Sequence, residues 1–245
     1  ILEILNTPEV NISTVEDPIE YRMPRVNQTQ VKPEIGLSFA SGLRSLLRQD
    51  PNIIMVGEIR DEETASLAIN AALTGHLVLS TLHTNSAAGA LPRLLEMGVE
   101  PFLIASTVNI IVAQRLVRRL CETKDKTMMT GEAFGSLVGK INPEKIIREL
   151  KRDRIVDAKT TFEKIQWSHP GKSEECPDGY KGRLGIYELL EVTTPIKELI
   201  MKNSTSGDIE KRAREEGMIT MLEDGIIKAA EGRTTLEEIL RVTSE

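Results

Sequence analysis

The chain has 245 residues, 40% of them hydrophobic and 28% charged, with a formal net charge of −6. That is ordinary globular composition, enough for one large domain or two smaller ones. Only 3% of residues are aromatic and the balance is acidic, which argues against a base-stacking or nucleic-acid-binding surface, and no apolar run approaches the ~20 residues that span a bilayer. No signal peptide is expected, and a cytoplasmic protein is. Two cysteines far apart in sequence do not make a disulfide framework.

Ile1 opens an apolar-periodic segment with no capping residue before it, as expected for the tail of a helix that starts upstream. Thr7-Pro8 stops that segment. NISTV (11–15) reads as a strand. Residues 19–36 read as a β-rich excursion, with NQTQV (27–31) as its strand. LSFASGLRSLLRQ (37–49) has helical apolar spacing, and the unbroken run IIMVG (53–57) suits a strand buried on both faces. Asp61 is placed to cap a helix over 62–73, with Glu62 and Glu63 in its first turn. HLVLSTL (76–82) is a second buried strand. Helices follow at 86–97 and 101–108, then a mostly apolar segment to Cys121. This alternation implies a parallel sheet.

From 122 to 178 the chain is polar and reads as an excursion carrying one or two helices, at about 143–151 and 160–166. GYKGRLGIYELLEV (179–192) returns to strand-like alternation. Three or four short helices are expected, at 195–202, 206–216, 218–231 and 234–242. The expected organisation is an α/β core over 1–121, a variable excursion over 122–178, and a strand with a helical subdomain over 179–245.

Three motifs carry chemistry. In NIIMVGEIRD (52–61) a buried strand delivers Glu58 at its carboxyl end, the edge at which open parallel sheets bind ligands. A carboxylate there can hold magnesium, directly or through water, or orient the water that attacks a γ-phosphate. Gly57 lets backbone approach closely, and Arg60 is one of nine arginines in the first half of the chain, any of which could face phosphates. STVEDPIEY (13–21) brings Glu16 and Asp17 to the end of another buried strand, so two strands offer acids at one sheet edge. In TGHLVLSTLHTN (74–85), His83 with Thr84 and Asn85 closes a strand where it can hydrogen-bond a γ-phosphate. Cys121 and Cys176 read as free buried thiols. Each lacks a CxxC partner, and with His169 as a third ligand a zinc site would still want a fourth.

Together these motifs closely resemble the secretion ATPases that drive type II secretion and type IV pilus assembly. STVEDPIEY is similar to that family's Asp box, LRQDPNIIMVGEIRD to its Walker B signature, and TGHLVLSTLHTN to its His box. VEPFLIAS, AQRLVRRLC and GYKGRLGIYELL also match, and the last, with the helical tail, favours the assembly or secretion branch over pilus retraction. The resemblance covers nearly all of 1–121 and 179–245.

The resemblance implies a RecA-like P-loop NTPase core with a mostly parallel sheet and a C-terminal helical subdomain. It implies ATP and Mg2+ as ligands, a homo-hexameric ring, and an inner-membrane platform protein as partner. The expected place is the cytoplasmic side of a bacterial inner membrane, held there through partners. By motif, Glu58 is the Walker B acid that serves magnesium or water, Glu16 is a rival general base, and His83 belongs to the γ-phosphate-sensing box. Asp17, Gly57, Arg60 and Thr84 are the expected nucleotide-side neighbours.

Three departures stand out. Asn52 occupies a position where the family usually has an acid. The family's four zinc cysteines are reduced to Cys121 and Cys176, so no zinc is expected. No GxxxxGK[ST] occurs. The expectation is a fragment that begins just after its P-loop and is weak or inactive alone. The competing readings are a P-loop-less, non-catalytic assembly subunit, or another RecA-like motor such as a conjugation or archaellum ATPase.

Overall fold

In the computed structural model, residues 1–121, 125–128, 137, 139 and 141–243 are described. The apolar run Ile53–Val56 forms strand β3. It lies between β1 (Ile12–Glu16) and β4 (Leu77–Ser80), and β2 (Val26–Gln30) pairs on the far side of β1. All three pairings are parallel, with Thr14 opposite Gln28 and Val15 opposite Val56. All five β1 residues are buried, as a central strand requires. The expected strand at 76–82 is shorter and more exposed than its apolar sequence implies. Among the described residues β4 pairs with β3 alone, and Leu77 is 46% exposed.

Helix α1 is a single turn (Leu2–Leu5). Helix α2 (Phe39–Leu46) starts from a capping box in which the Ser38 and Ser41 side chains each bond the other's backbone N–H. It presents Ala40, Gly42, Leu43 and Leu46 to the core. A Cβ on Gly42 would come within 2.9 Å of Val15 Cγ2, so the absent side chain sets how closely α2 approaches the sheet. Helix α3 (Glu62–Leu73) begins at Asp61, whose carboxylate accepts the Thr64 N–H at 2.8 Å, as its sequence predicts. Helices α4 (Ala90–Glu96) and α5 (Pro101–Thr107) follow.

The chain divides into two compact units, residues 1–111 with 191–213 and residues 112–190 with 214–245. In the first, α7 (Thr194–Met201) packs on α5 and buries Ile196 and Ile200. The second is built around β5 (Ile110–Leu120), which forms a two-stranded sheet with β8 (Tyr180–Glu191). β5 is an eleven-residue strand where the sequence suggested only an apolar stretch, because three arginines blur its alternation. β6 (Lys126–Met128) and β7 (Gln166–Ser168) form an antiparallel pair. α6 (Pro143–Arg152), α9 (Met221–Ala230) and α10 (Leu236–Thr243) complete the unit, and α8 (Ser206–Glu215) ends within it.

The boundaries expected at 121 and 178 fall inside this second unit, because the polar excursion shares its core. Ile141, Ile146, Leu150, Phe162, Ile165 and Trp167 pack in one cluster with Val117, Ile186, Ile226 and Ile239. The helix expected at 160–166 is instead a 3-10 turn (Phe162–Lys164) leading into β7. Phe162, Ile165 and Trp167 are all buried, and the Phe162 and Trp167 rings meet edge to face at 5.9 Å. That packing decides against a continuous helix.

Cys121 and Cys176, expected as free thiols, are bonded to each other as a disulfide across a Cα separation of 6.7 Å. Gly179 brings them together: its carbonyl accepts the Cys121 N–H and its own N–H bonds the Cys176 carbonyl, both at 3.0 Å. Gly179 sits at φ 77°, and a Cβ there would lie 2.5 Å from Pro170 Cβ. Sequence spacing over 55 residues carried no sign of this turn.

Candidate active site

The carboxyl ends of β1, β3 and β4 form one edge, and their lacing places the site. Beyond β3, Gly57 donates to Val15 O at 2.8 Å and accepts the Thr81 hydroxyl at 2.6 Å, and Ile59 N–H bonds Thr81 O at 3.0 Å. A Cβ on Gly57 would sit 3.2 Å from Val15 O and 3.4 Å from Glu16 Cα. The expected close approach at Gly57 is therefore by the β1 backbone. These bonds carry the end of β4 alongside Glu58.

Glu58 is 9% exposed and both of its oxygens are engaged. Oε1 is ion-paired with Arg60, and Oε2 meets His83 Nε2 at 2.9 Å. The hydrogen bond from Arg60 holds the Glu58 carboxyl below its ordinary value, against burial, with His83 adding to the effect. Reciprocally, Glu58 raises the Arg60 guanidinium, with a smaller contribution from the negative charge of Asp17. Both partners of Glu58 are themselves open to solvent: the side chains are 60% exposed in Arg60 and 83% in His83.

Glu16 ends β1 at the same edge, one strand from Glu58, and is also 9% exposed. Its Oε1 accepts the Thr14 hydroxyl at 2.5 Å and the Gln28 amide at 3.0 Å. Among the described residues its Oε2 receives no hydrogen bond. Asp17 lies exposed just beyond β1.

Thr84 is turned away from this group, its hydroxyl donating to Ser86 O at 3.1 Å within the turn before α4. The structure thus brings together Glu58, His83 and Arg60, sets Glu16, Asp17 and Gly57 at the same edge, and uses Thr84 locally. Thr14, Gln28 and Thr81 are not expected at the site from the sequence. Thr14 lies two residues before Glu16 on a strand, a spacing that signals a shared face, but Gln28 and Thr81 reach the site only through strand pairing.

At the opposite edge of the sheet, Asn52 Oδ1 accepts the Asn11 N–H at 2.8 Å beside a polar surface cavity. An acid at position 52 would accept the same bond, so the departure at Asn52 leaves this contact intact. Among the described residues no group of three or more His, Cys, Asp and Glu could hold a resident metal, and no helix is long and apolar enough to cross a membrane.

The model of one family, described as type II/IV secretion system protein, matches residues 1–241. The chain belongs to that family. It is 49% identical over 244 residues to the type II secretion system protein E of Xanthomonas campestris pv. campestris, covering 100% of this chain and 40% of the relative. It is 45% identical over 247 residues to the type IV pilus assembly ATPase PilB of Pseudomonas aeruginosa, again covering 100% and 40%. The chain thus spans about 40% of the length of these relatives. Among solved structures it is similar to the pilus retraction motor PilT with bound ADP, with a TM-score of 0.64 and 27% identity over 96% of this chain and 53% of that one. The ATPase DotB of Legionella pneumophila is similar in fold, with a TM-score of 0.61, 21% identity, and coverage of 99% and 54%. The fold of this secretion-family chain is the RecA-like α/β arrangement its motifs imply.

Proposed function

We propose that the chain supplies the acid-bearing side of an ATP-hydrolysing motor that powers type II secretion or type IV pilus assembly. The observation that carries this reading is Glu58, buried at the carboxyl edge of a parallel sheet and gripped by His83 and Arg60, with Glu16 beside it on the neighbouring strand. Two acids, an exposed guanidinium and an exposed imidazole are what phosphoryl transfer asks of this edge: one set to orient the water, the other to hydrogen-bond the γ-phosphate.

In this reading MgATP is the substrate, and the carboxylate oxygens of Glu58, Glu16 and Asp17 suit the water shell of its magnesium. Arg60 and His83 are exposed enough to turn from Glu58 toward incoming phosphate oxygens. That exchange frees the Glu58 carboxylate and couples its availability to the presence of the nucleotide. The parent protein acts as a homo-hexamer on an inner-membrane platform protein, at the cytoplasmic face.

Steady-state hydrolysis of MgATP by the full-length gene product tests this reading. Glu58→Gln should lower kcat by on the order of 10²-fold or more while nucleotide still binds. The 245-residue chain alone should bind ATP weakly, since backbone amides and a lysine that hold phosphates are absent from it. Full turnover in the Glu58→Gln protein, or micromolar ATP binding with normal turnover by the isolated chain, would overturn the assignment.

A further inference from the structure

Gln28 sits opposite Thr14 in the parallel β1–β2 register, so the two side chains share a sheet face with Glu16 two residues further along. Three bonds orient its amide. Nε2 donates to Tyr21 O at 2.9 Å and to Glu16 Oε1 at 3.0 Å, and Oε1 accepts the Met23 N–H at 2.8 Å. Reversing the amide would set oxygen against two acceptors and nitrogen against a donor, so only one orientation satisfies the site. The amide therefore joins the segment after β1 to one oxygen of Glu16, and Thr14 holds that same oxygen. With Oε1 doubly occupied, Oε2 is the oxygen left to act.

We propose that Gln28 is a positioning residue for Glu16, with Thr14 as its helper: together they fix Oε1 and present Oε2 to a water at the carboxyl edge of the sheet. Glu58 offers no such free oxygen while Arg60 and His83 hold it. This assignment rests on the ATPase reading above. Gln30 supplies an internal control. It stands directly opposite Glu16 in the register, yet its exposed side chain makes no hydrogen bond among the described residues. Proximity in the sheet is therefore separable from the bond that positions the acid.

The test is a double-mutant cycle in the full-length gene product, read as kcat and KM for MgATP. Gln28→Met keeps the length of the side chain and removes its donors. It should lower kcat about tenfold with KM changed less than twofold, because misdirecting a reacting group by a fraction of an ångström costs turnover rather than binding. Thr14→Val should act in the same direction and more weakly, and Gln30→Met should change neither constant. In a Glu16→Ala background, Gln28→Met should cost nothing further.

A tenfold loss from Gln28→Met in both backgrounds, or wild-type kcat in Gln28→Met, overturns the positioning role while leaving the ATPase reading intact. Wild-type turnover by Glu16→Ala removes Glu16 from the chemistry and the role of Gln28 with it. No ATP hydrolysis by the wild-type protein overturns the underlying reading. If Gln28→Met does not fold, as judged by thermal melting, Thr14→Val takes its place in the same cycle, and the same outcomes support or overturn the role.

Discussion

At the residue scale, the chain keeps two kinds of buried carboxylate. Glu58 is held by groups that are themselves solvated, with side chains 60% and 83% exposed. Glu238, 2% exposed in the second unit, is held by Arg118 and Arg241, whose side chains are 47% and 57% exposed, through a fuller set of bonds. It accepts the Arg118 backbone N–H at 3.1 Å, the Arg118 guanidinium at 2.9 and 3.0 Å, and Arg241. Arg118 is further committed, lying over the Tyr180 ring at 4.1 Å. It is therefore tied into the packing of its own unit by several groups at once. Burial pushes the Glu238 carboxyl up, but the hydrogen bonds from Arg241 and Arg118 outweigh burial and bring it from the ordinary 4.5 down to about 2.

The folded form thus has the lower pKa. The stabilisation from Glu238 is present above the unfolded value and is lost as pH falls from about 4.5 through about 2. Glu238→Gln should destabilise the second unit by roughly 2 kcal/mol at neutral pH, a figure reduced for the solvent-exposed guanidiniums, and should flatten the loss of stability below pH 4.5. Urea melts of both proteins from neutral pH down to 2.5 check this; parallel curves would refute it.

At the element scale, strand β3 and helix α3 show local sequence and tertiary position agreeing. The run of apolar residues before Glu58 becomes a strand paired on both sides, and Asp61 caps the helix that follows. Removing that cap by Asp61→Ala should cost about 1 kcal/mol, seen as a lower thermal midpoint with the fold retained. β4 and β5 show the opposite. Both read as apolar segments, yet among the described residues one pairs on a single side and the other is half of a two-stranded sheet with Val112 and Leu116 outward at 47% and 44% exposure. An apolar run reports that a strand is favoured, and neighbours outside the run decide how much of it is covered. The turn and strand at 162–168 depart from the expected helix for the same reason, since Phe162 and Trp167 settle on each other and on the helices of the same unit.

At the scale of the whole molecule, the polar excursion is part of a core rather than an appendage. Leu150 is completely buried, and Trp167, the sole tryptophan, is 3% exposed in the same cluster. Leu150→Ala should cost about 2–5 kcal/mol. The loss should appear as an earlier transition in Trp167 fluorescence, because the probe reports the unit that holds the cavity. An unchanged fluorescence midpoint would mean that this segment does not share the core.

Much of the candidate site is legible in the sequence: Glu58, Glu16 and His83 each end an apolar strand, and a carboxylate after such a run has few structural reasons to be there. By itself the sequence determined the parallel α/β class, the acids at the strand ends, the capped helix after Glu58 and the secretion-family membership. These rest on local pattern, hydrophobic period and motif, which the chain carries residue by residue. Only the tertiary structure decided that His83 reaches Glu58, that Gln28 reaches Glu16, that Cys121 meets Cys176, and that residues 141–168 join the C-terminal helices in one core. Those are contacts between segments distant in the chain, set by strand register and by packing, and no local pattern encodes which distant partner a side chain will find.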